Sequence, residues 1–80
     1  MKYVYILQSL SEPDRYYTGL CKDVRSRLEA HNAGQSAHTS KYKPWKMISC
    51  HWFDDPQTAA AFERYLKSGS DRAFAQKRLR

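Results

Sequence analysis

Arg27 is a charged residue whose position predicts either an ion pair or an anion site. It lies three residues after Val24 and four before His31, so it falls on the apolar stripe of the first predicted helix. A guanidinium is costly to bury without a partner. Its fork matches the oxygens of a phosphate. The alternative is that Arg27 turns outward into solvent, or pairs with Glu29, Asp23 or another acid, and carries no function.

Glu63 is a carboxylate at the edge of a second predicted stripe. That stripe contains Ala59, Phe62 and Leu66, and Glu63 follows Ala59 by four residues. A single carboxylate beside a core suits Mg²⁺, which commonly takes one or two protein carboxylates and completes its shell with water and phosphate. The alternative is a surface ion pair with Lys67, four residues further along the helix.

Tyrosine is concentrated near the start of the chain, at Tyr3, Tyr5, Tyr16 and Tyr17. Tyrosine packs well in strands, and this alone explains Tyr3 and Tyr16. Tyr17 and Gly19 share one face of the second predicted strand. Because a glycine in a strand often marks a bulge or a close approach, Gly19 predicts that another group lies against it.

His31 and Asn32 lie near the end of the first predicted helix. The imidazole of His31 could titrate near neutral pH and take part in proton transfer. A single histidine on an apolar stripe is more often structural, and the spacing alone does not decide between these two interpretations.

The elements that must carry these residues follow the order β-β-α-β-α-α. Asp23 and Asp55 are predicted helix caps, Pro56 suits a first helical position, and Gly34 suits a helix end. Strands are predicted at 3–7, 15–20 and 45–53, and helices at 24–33, 56–67 and 71–79. This order predicts an α/β fold with a small, mainly antiparallel three-stranded sheet flanked by helices. The first strand is apolar on both faces, so we expect both to be covered.

Length and composition bound the possible functions. The 80 residues predict one domain, residues 1–80, and 41% hydrophobic residues are enough for one small core. No apolar run reaches the roughly 18–20 residues of a membrane span. Cys21 and Cys50 have no motif spacing and no export signal precedes them, so we expect reduced thiols and a cytoplasmic location.

The charge is basic and unevenly distributed. The net charge is +6, of which residues 1–40 carry +1 (five bases, four acids) and residues 41–80 carry +5 (nine bases, four acids). A small basic domain rich in aromatic residues favours a polyanionic partner, with nucleic acid the leading candidate and a solvated basic face the alternative.

A basic loop lies between the first helix and the third strand. Lys41, Lys43 and Lys46 alternate there with Tyr42 and Trp45. Cations interleaved with rings are typical of surfaces that bind single strands, where the cations follow the backbone and the rings stack on bases. The alternative is a flexible loop whose Trp45 packs onto the core.

The ordered set Tyr5, Tyr17-Thr18-Gly19, Arg27, His31 and Glu63 resembles the GIY-YIG nuclease domain. The similarity covers nearly the whole chain and is greatest to small members that consist of this module alone. Tyr3-Val4-Tyr5 stands for the first signature triplet and Tyr17-Thr18-Gly19 for the second. Tyr3 replaces the signature glycine and Thr18 the signature isoleucine, and Thr18 should face away from Tyr17.

The resemblance implies hydrolysis of a phosphodiester with one divalent metal ion, Mg²⁺ or Mn²⁺. By position, Glu63 would hold the metal and Arg27 would bind the scissile phosphate. Tyr17, assisted by Tyr5 and His31, would position or deprotonate the attacking water, and Asn32 would help to shape the site. Free tyrosine has a pKa near 10, so a tyrosine base would need a lowered pKa, and a water activated by the metal is the alternative.

Together these features predict a cytoplasmic endonuclease that cuts DNA, with single-stranded or distorted DNA favoured, no membrane partner, and a homodimer as an open possibility. The first alternative is a non-catalytic nucleic-acid-binding module with the same fold. The second is a basic subunit that acts through a protein partner.

Overall fold

The computed structural model describes residues 2–68 of the chain. The predicted final helix over 71–79 lies outside these residues. The described elements run β-β-α-β-α, with a 3₁₀ turn before the last strand. Their bounds are β1 Tyr3–Ser9, β2 Tyr16–Cys21, α1 Val24–Asn32, the 3₁₀ turn Ser40–Tyr42, β3 Trp45–Trp52 and α2 Pro56–Lys67.

The three strands form one sheet in the order β2-β1-β3, and both strand pairs are antiparallel. This confirms the predicted small α/β fold. The central strand β1 places Tyr5 opposite Gly19 on one side and opposite Cys50 on the other. The pairing of β1 with β3 shifts between Ile6 and Leu7.

The first strand extends two residues beyond its predicted end. Its last residue, Ser9, is polar, so hydrophobic patterning gave no reason to include it. In the structure the Ser9 amide donates to the Arg15 carbonyl at 3.0 Å, and the Ser9 hydroxyl donates to the Tyr42 carbonyl at 2.6 Å. The first bond holds the end of β1 beside the residue that precedes β2, and the second holds it against the 3₁₀ turn.

Both predicted helix caps are confirmed. The Asp23 carboxylate accepts hydrogen bonds from the Arg25 and Ser26 amides, which lack partners within the helix. The Asp55 carboxylate accepts from the Gln57 amide, and Pro56 follows it in the first turn. Past the end of α1, Gly34 has a φ of +78°, a conformation that glycine adopts without strain.

A separate cluster of side chains packs on each face of the sheet. On one face, Val4 and Ile6 pack with Ala59 and Leu66 of α2. On the other, Tyr5, Leu7, Cys21 and Trp45 form a cluster that Val24 and Leu28 of α1 border. The prediction that β1 is covered on both faces is therefore confirmed.

Cys21 is buried and Cys50 is exposed, and both are free thiols. Within residues 2–68, no helix is long and apolar enough to cross a membrane.

Candidate active site

His31 is the buried centre of a hydrogen-bonded chain that joins three elements. Its Nε2 lies 2.9 Å from the Tyr5 hydroxyl of β1, and its Nδ1 lies 2.7 Å from the Thr39 hydroxyl in the loop after α1. The side chains of Tyr5, His31 and Thr39 are each only 1% exposed. A polar chain this deeply buried persists because its members satisfy one another.

Burial lowers the pKa of His31 below its usual value near 6.5, and the charge of Arg27 lowers it further. The imidazole is therefore neutral at pH 7, and both of its nitrogens have partners. This arrangement makes His31 a group that orients Tyr5. It leaves neither ring nitrogen available for a water molecule.

Tyr5 is also hydrogen-bonded to Arg27. Burial raises the pKa of Tyr5, and the hydrogen bond from Arg27 opposes that rise, so the phenol stays protonated near neutral pH. The same hydrogen bond raises the pKa of Arg27. Because a guanidinium only donates, the Tyr5 oxygen accepts from Arg27, and its O–H then donates to Nε2 of His31. On this basis we assign the single ring proton of neutral His31 to Nδ1. The Nδ1–H group then donates to the Thr39 hydroxyl.

Arg27 itself is exposed, although its spacing places it with the inner residues of α1. Val24 and Leu28 are half-buried and His31 is fully buried, so the stripe exists and Arg27 lies at its solvent edge. Among residues 2–68, no acid is paired with the guanidinium, and the contact that raises its pKa most is with Tyr5. A positively charged fork is therefore fixed at one end and open to solvent at the other.

Tyr17 packs directly against this chain. Its ring centroid lies 4.9 Å from that of His31 and 6.2 Å from that of Tyr5. Gly19 makes the arrangement possible, because a Cβ at that position would lie 2.5 Å from Cζ of Tyr5. The close approach predicted from a glycine in β2 is therefore confirmed, and the approaching group is Tyr5.

Glu63 lies on α2 and is paired with Lys67. The Lys67 ammonium is 2.7 Å from the Glu63 carboxylate and 5.8 Å from the centroid of the Tyr17 ring. The Glu63 side chain is 17% exposed, whereas that of Lys67 is 48% exposed. Lys67 thus connects the candidate metal ligand to the tyrosine cluster across the edge of the sheet.

The donor set fits a weakly held hard cation better than a closed metal cage. Among residues 2–68, no group of three or more His, Cys, Asp or Glu side chains could hold a metal. Glu63 offers carboxylate oxygens, and a cation, the Lys67 ammonium, already lies against them and near the Tyr17 ring. One carboxylate with water and phosphate oxygens is a common Mg²⁺ environment.

The basic loop is divided by the structure. Lys41 and Tyr42, in the 3₁₀ turn, line a groove together with Tyr17. The Lys43 ammonium turns toward Gly34 at the end of α1. Lys46 is opposite Gln8, on the face of the sheet away from Tyr17.

Trp45 packs into the core, as one of the two interpretations of the loop predicts. It is 4% exposed, and its indole N–H donates to the Thr39 carbonyl at 3.0 Å. Asn32 holds the neighbouring backbone: its amide nitrogen donates to the Trp45 carbonyl, and its amide oxygen accepts from the Trp45 amide. Asn32 therefore shapes the site indirectly, by fixing the start of β3 beneath Thr39.

Three residues near the site were not identified from the sequence as functional. Thr39 and His38 lie in an irregular loop with no periodicity, so nothing in the sequence pairs Thr39 with His31 or brings the His38 ring to 6.1 Å from that of Tyr17. Lys67 was considered only as the surface partner of Glu63. Its i,i+4 spacing predicted the ion pair but not its approach to Tyr17.

Comparison with known proteins places the chain in a family. The sequence model of the GIY-YIG catalytic domain matches residues 1–77. UPF0213 proteins of Streptococcus pyogenes serotypes M3, M1 and M4 are each 31% identical to the chain over 72 residues, which cover 89% of the chain and 76% of each relative. GIY-YIG domains are generally nuclease domains that use divalent metal ions. A match over this much of the chain shows that it belongs to the GIY-YIG family.

Proposed function

We propose that this protein is a metal-dependent endonuclease that hydrolyses phosphodiester bonds in DNA. The observation that best supports the proposal is the double contact of Tyr5, which joins buried His31 to exposed Arg27. That contact holds a guanidinium open to solvent beside Tyr17, and no carboxylate in the described part of the chain is paired with it. A site of this kind is suited to a phosphate.

In this proposal Arg27 binds the scissile phosphate. Its fork donates two hydrogen bonds to phosphate oxygens, and its charge stabilises the negative charge that builds up on them in the transition state. The hydrogen bond to Tyr5 reduces the freedom of the side chain before substrate arrives, so less order has to be gained during the reaction.

Tyr17 is the residue that we propose positions or deprotonates the attacking water. Its ring is held by its contact with His31 at 4.9 Å. Tyr5 and His31 act as positioning residues, because the Tyr5 phenol is protonated and both nitrogens of His31 are occupied. Of the candidate side-chain bases, this leaves Tyr17.

Glu63 would hold one Mg²⁺ or Mn²⁺ ion. When bound, the ion would supply charge that stabilises the phosphoryl and leaving-group oxygens. Before that, Glu63 has to give up its 2.7 Å contact with Lys67. Because Lys67 is half-exposed, its ammonium can move into solvent without leaving a buried charge behind.

Single-stranded or distorted DNA is the substrate that we propose. A module of this size covers about 600–1,000 Å² of a nucleic-acid interface, too little to read a long duplex site. Any sequence preference is therefore short unless two copies act together. The free thiols Cys21 and Cys50 support work in a reducing compartment such as the cytoplasm.

A nuclease assay tests this function. One end-labelled oligonucleotide is incubated as a single strand and as its annealed duplex, with Mg²⁺ or Mn²⁺, and with EDTA as the control. We expect cutting that EDTA abolishes and that is faster on the single strand. Binding with a steep salt dependence but no cutting would instead identify a non-catalytic nucleic-acid-binding module. Faster cutting of the duplex at one long unique site would contradict the strand preference and indicate an obligate dimer.

A further inference from the structure

A groove of about 420 Å³ opens beside the candidate active site. Its walls come from the start of β2, from the loop after α1 and from the 3₁₀ turn, and they include Arg15, Tyr17, His38, Lys41 and Tyr42. Tyr17 is common to the groove and the candidate active site. Whatever occupies the groove therefore lies next to the proposed position of the attacking water.

The lining has the chemistry of an anionic, flat ligand. Arg15 and Lys41 are cations at neutral pH, and none of the described residues that line the groove is acidic. The remaining surface includes phenol and imidazole rings. The volume of the groove lies near the lower end of the range of about 300–1,000 Å³ that is usual for small-ligand sites. A groove of this size suits one nucleotide rather than a longer segment of the strand.

Arg15 and Tyr42 form a cation–π pair in this groove. The Arg15 guanidinium carbon lies 4.9 Å from the centroid of the Tyr42 ring. Tyr42 is fixed from below, since it packs against the cluster of Tyr5 and Leu7 and its carbonyl accepts hydrogen bonds from Ser9 and Ser11. The Arg15 guanidinium thereby lies against a fixed ring, and nucleic-acid bases stack on guanidinium planes as they do on aromatic rings.

We propose that this groove binds one unpaired nucleotide adjacent to the scissile phosphate, with its base stacked on the Arg15–Tyr42 pair and its phosphate bound by Lys41. This proposal rests on the proposed function, and it adds that the nucleotide next to the scissile phosphate is unpaired. A base inside a regular duplex is covered on both faces by its neighbours, so it reaches this pair only after leaving the stack. The proposal therefore favours sites where a nucleotide is already unpaired, because a paired nucleotide would first have to be extruded at a cost in free energy.

The chain supplies matched controls for each part of the proposal. Lys43 and Lys46 belong to the same basic loop as Lys41 but lie outside the groove. Arg15→Lys keeps the charge and removes the flat guanidinium. Both Arg15 and Lys41 are exposed, so substitutions there leave the core intact.

The test measures binding without cutting. Full-length protein carrying Glu63→Gln is titrated into a labelled single-stranded oligonucleotide in metal-free buffer at several salt concentrations, and fluorescence anisotropy gives the Kd. Arg15→Lys should weaken binding by about tenfold, the scale of one lost base stack, and leave the salt slope unchanged. Lys41→Gln should lower the slope by about 0.7, the value for one phosphate contact on a single strand. Lys43→Gln and Lys46→Gln should leave the slope unchanged.

An abasic oligomer of the same length separates stacking from charge. Arg15→Lys should bind this oligomer as well as the parent protein does, because there is no base to lose. Unchanged binding of the normal oligonucleotide by Arg15→Lys would overturn the proposal, as would equal slope losses for Lys41→Gln and Lys43→Gln. If the expected binding pattern appears but the wild-type protein does not cut DNA, the proposed nucleotide site is supported and the proposed nuclease function is contradicted.

Discussion

At the scale of single residues, the candidate site is organised around one phenol. The Tyr5 oxygen accepts from Arg27 and its O–H donates to His31, whose other nitrogen reaches Thr39. Burial of these groups has opposite effects on their titration: it raises the pKa of Tyr5 and lowers that of His31. Both effects favour the neutral forms, so the exposed charge of the cluster is that of Arg27.

Arg27→Ala should lower turnover far more than DNA affinity. A guanidinium that meets growing charge on the phosphate acts chiefly in the transition state, and removing one such donor costs about 10²–10³ in kcat. Single-turnover rates and Kd values for one single-stranded oligonucleotide would measure the two effects. Arg25→Ala, an exposed arginine on the same helix, is the control. Equal losses of rate and affinity in Arg27→Ala would mark a general phosphate contact instead.

His31 should make stability depend on pH in a predictable direction. Its pKa in the folded chain is lower than the value near 6.5 expected when unfolded, so the unfolded state binds the proton more readily. The stabilising contribution is complete above about pH 6.5 and is lost as the pH falls toward the lowered pKa. Asp23, whose pKa is lowered from 3.8 chiefly by the hydrogen bond from the Ser26 amide, loses its stabilising contribution only at more acid pH.

Urea unfolding of the wild-type protein and His31→Gln between about pH 8 and pH 5 isolates this contribution. The free energy of unfolding of the wild-type protein should decrease as the pH is lowered from 8 to 5, and that of His31→Gln should decrease less steeply. His38→Gln, which replaces an exposed histidine, should behave as the wild-type protein does. Parallel curves for the wild-type protein and His31→Gln would show that His31 is not held neutral.

Lys67→Met should strengthen Mn²⁺ binding. The Lys67 ammonium lies 2.7 Å from the only carboxylate assigned to the metal, so ion and ammonium compete for Glu63. An exposed ion pair is worth about 0.2–1 kcal/mol, so its loss should tighten binding by a factor of about 1.4 to 5. Electron paramagnetic resonance of free Mn²⁺ measures this directly, with Lys46→Met as the control. Weaker binding by Lys67→Met would mean that the lysine supports the metal site.

At the scale of elements, strand pairing positions the site and glycine permits it. Gly19 is opposite Tyr5 in the sheet, and a Cβ there would meet the phenol ring. Gly19→Ala should destabilise the fold by about 1–3 kcal/mol, because the ring has to move within a packed cluster. Tyr5→Leu shortens the side chain, so the double variant should lose less than the sum of the two single variants. Chemical denaturation of the four proteins measures this coupling. Additive losses would show that Gly19 and Tyr5 do not interact.

Local signals in the sequence were sufficient for most of the elements. Asp23 and Asp55 are adjacent to the helices that they cap, so their role can be identified without knowledge of the fold. The sequence predicted only part of the contact between Tyr5 and Gly19. The glycine indicated that some group lies close to β2, and the strand register then identified that group as Tyr5.

The parts of the site that were not predicted depend on the path of an irregular loop. Thr39 reaches His31 because the loop after α1 turns back over the helix, and Trp45 is then fixed by Asn32. Neither contact leaves a periodic pattern. For the same reason the sequence grouped Lys41 with Lys43 and Lys46, although the structure directs the three ammonium groups to different surfaces.

At the scale of the whole molecule, the candidate active site and the groove beside it lie along one edge of the sheet. β2 is an edge strand, and it carries Tyr17 at the meeting point of the tyrosine cluster, the groove and Lys67. A net charge of +6 draws a polyanion toward this small surface from any direction. In our proposal the positive net charge speeds the encounter between the protein and DNA, and the groove selects an unpaired strand.

The most direct test of the central claim is the cleavage rate of Glu63→Gln on a single-stranded oligonucleotide with saturating Mg²⁺ or Mn²⁺. Glu63 is at the rim of its helix stripe, so the variant should fold as the wild-type protein does, and Glu12→Gln in the connector between β1 and β2 is the matched control. Loss of the carboxylate should lower the rate by at least about a hundredfold, while Glu12→Gln keeps it. Cleavage by folded Glu63→Gln at the wild-type rate would contradict the account.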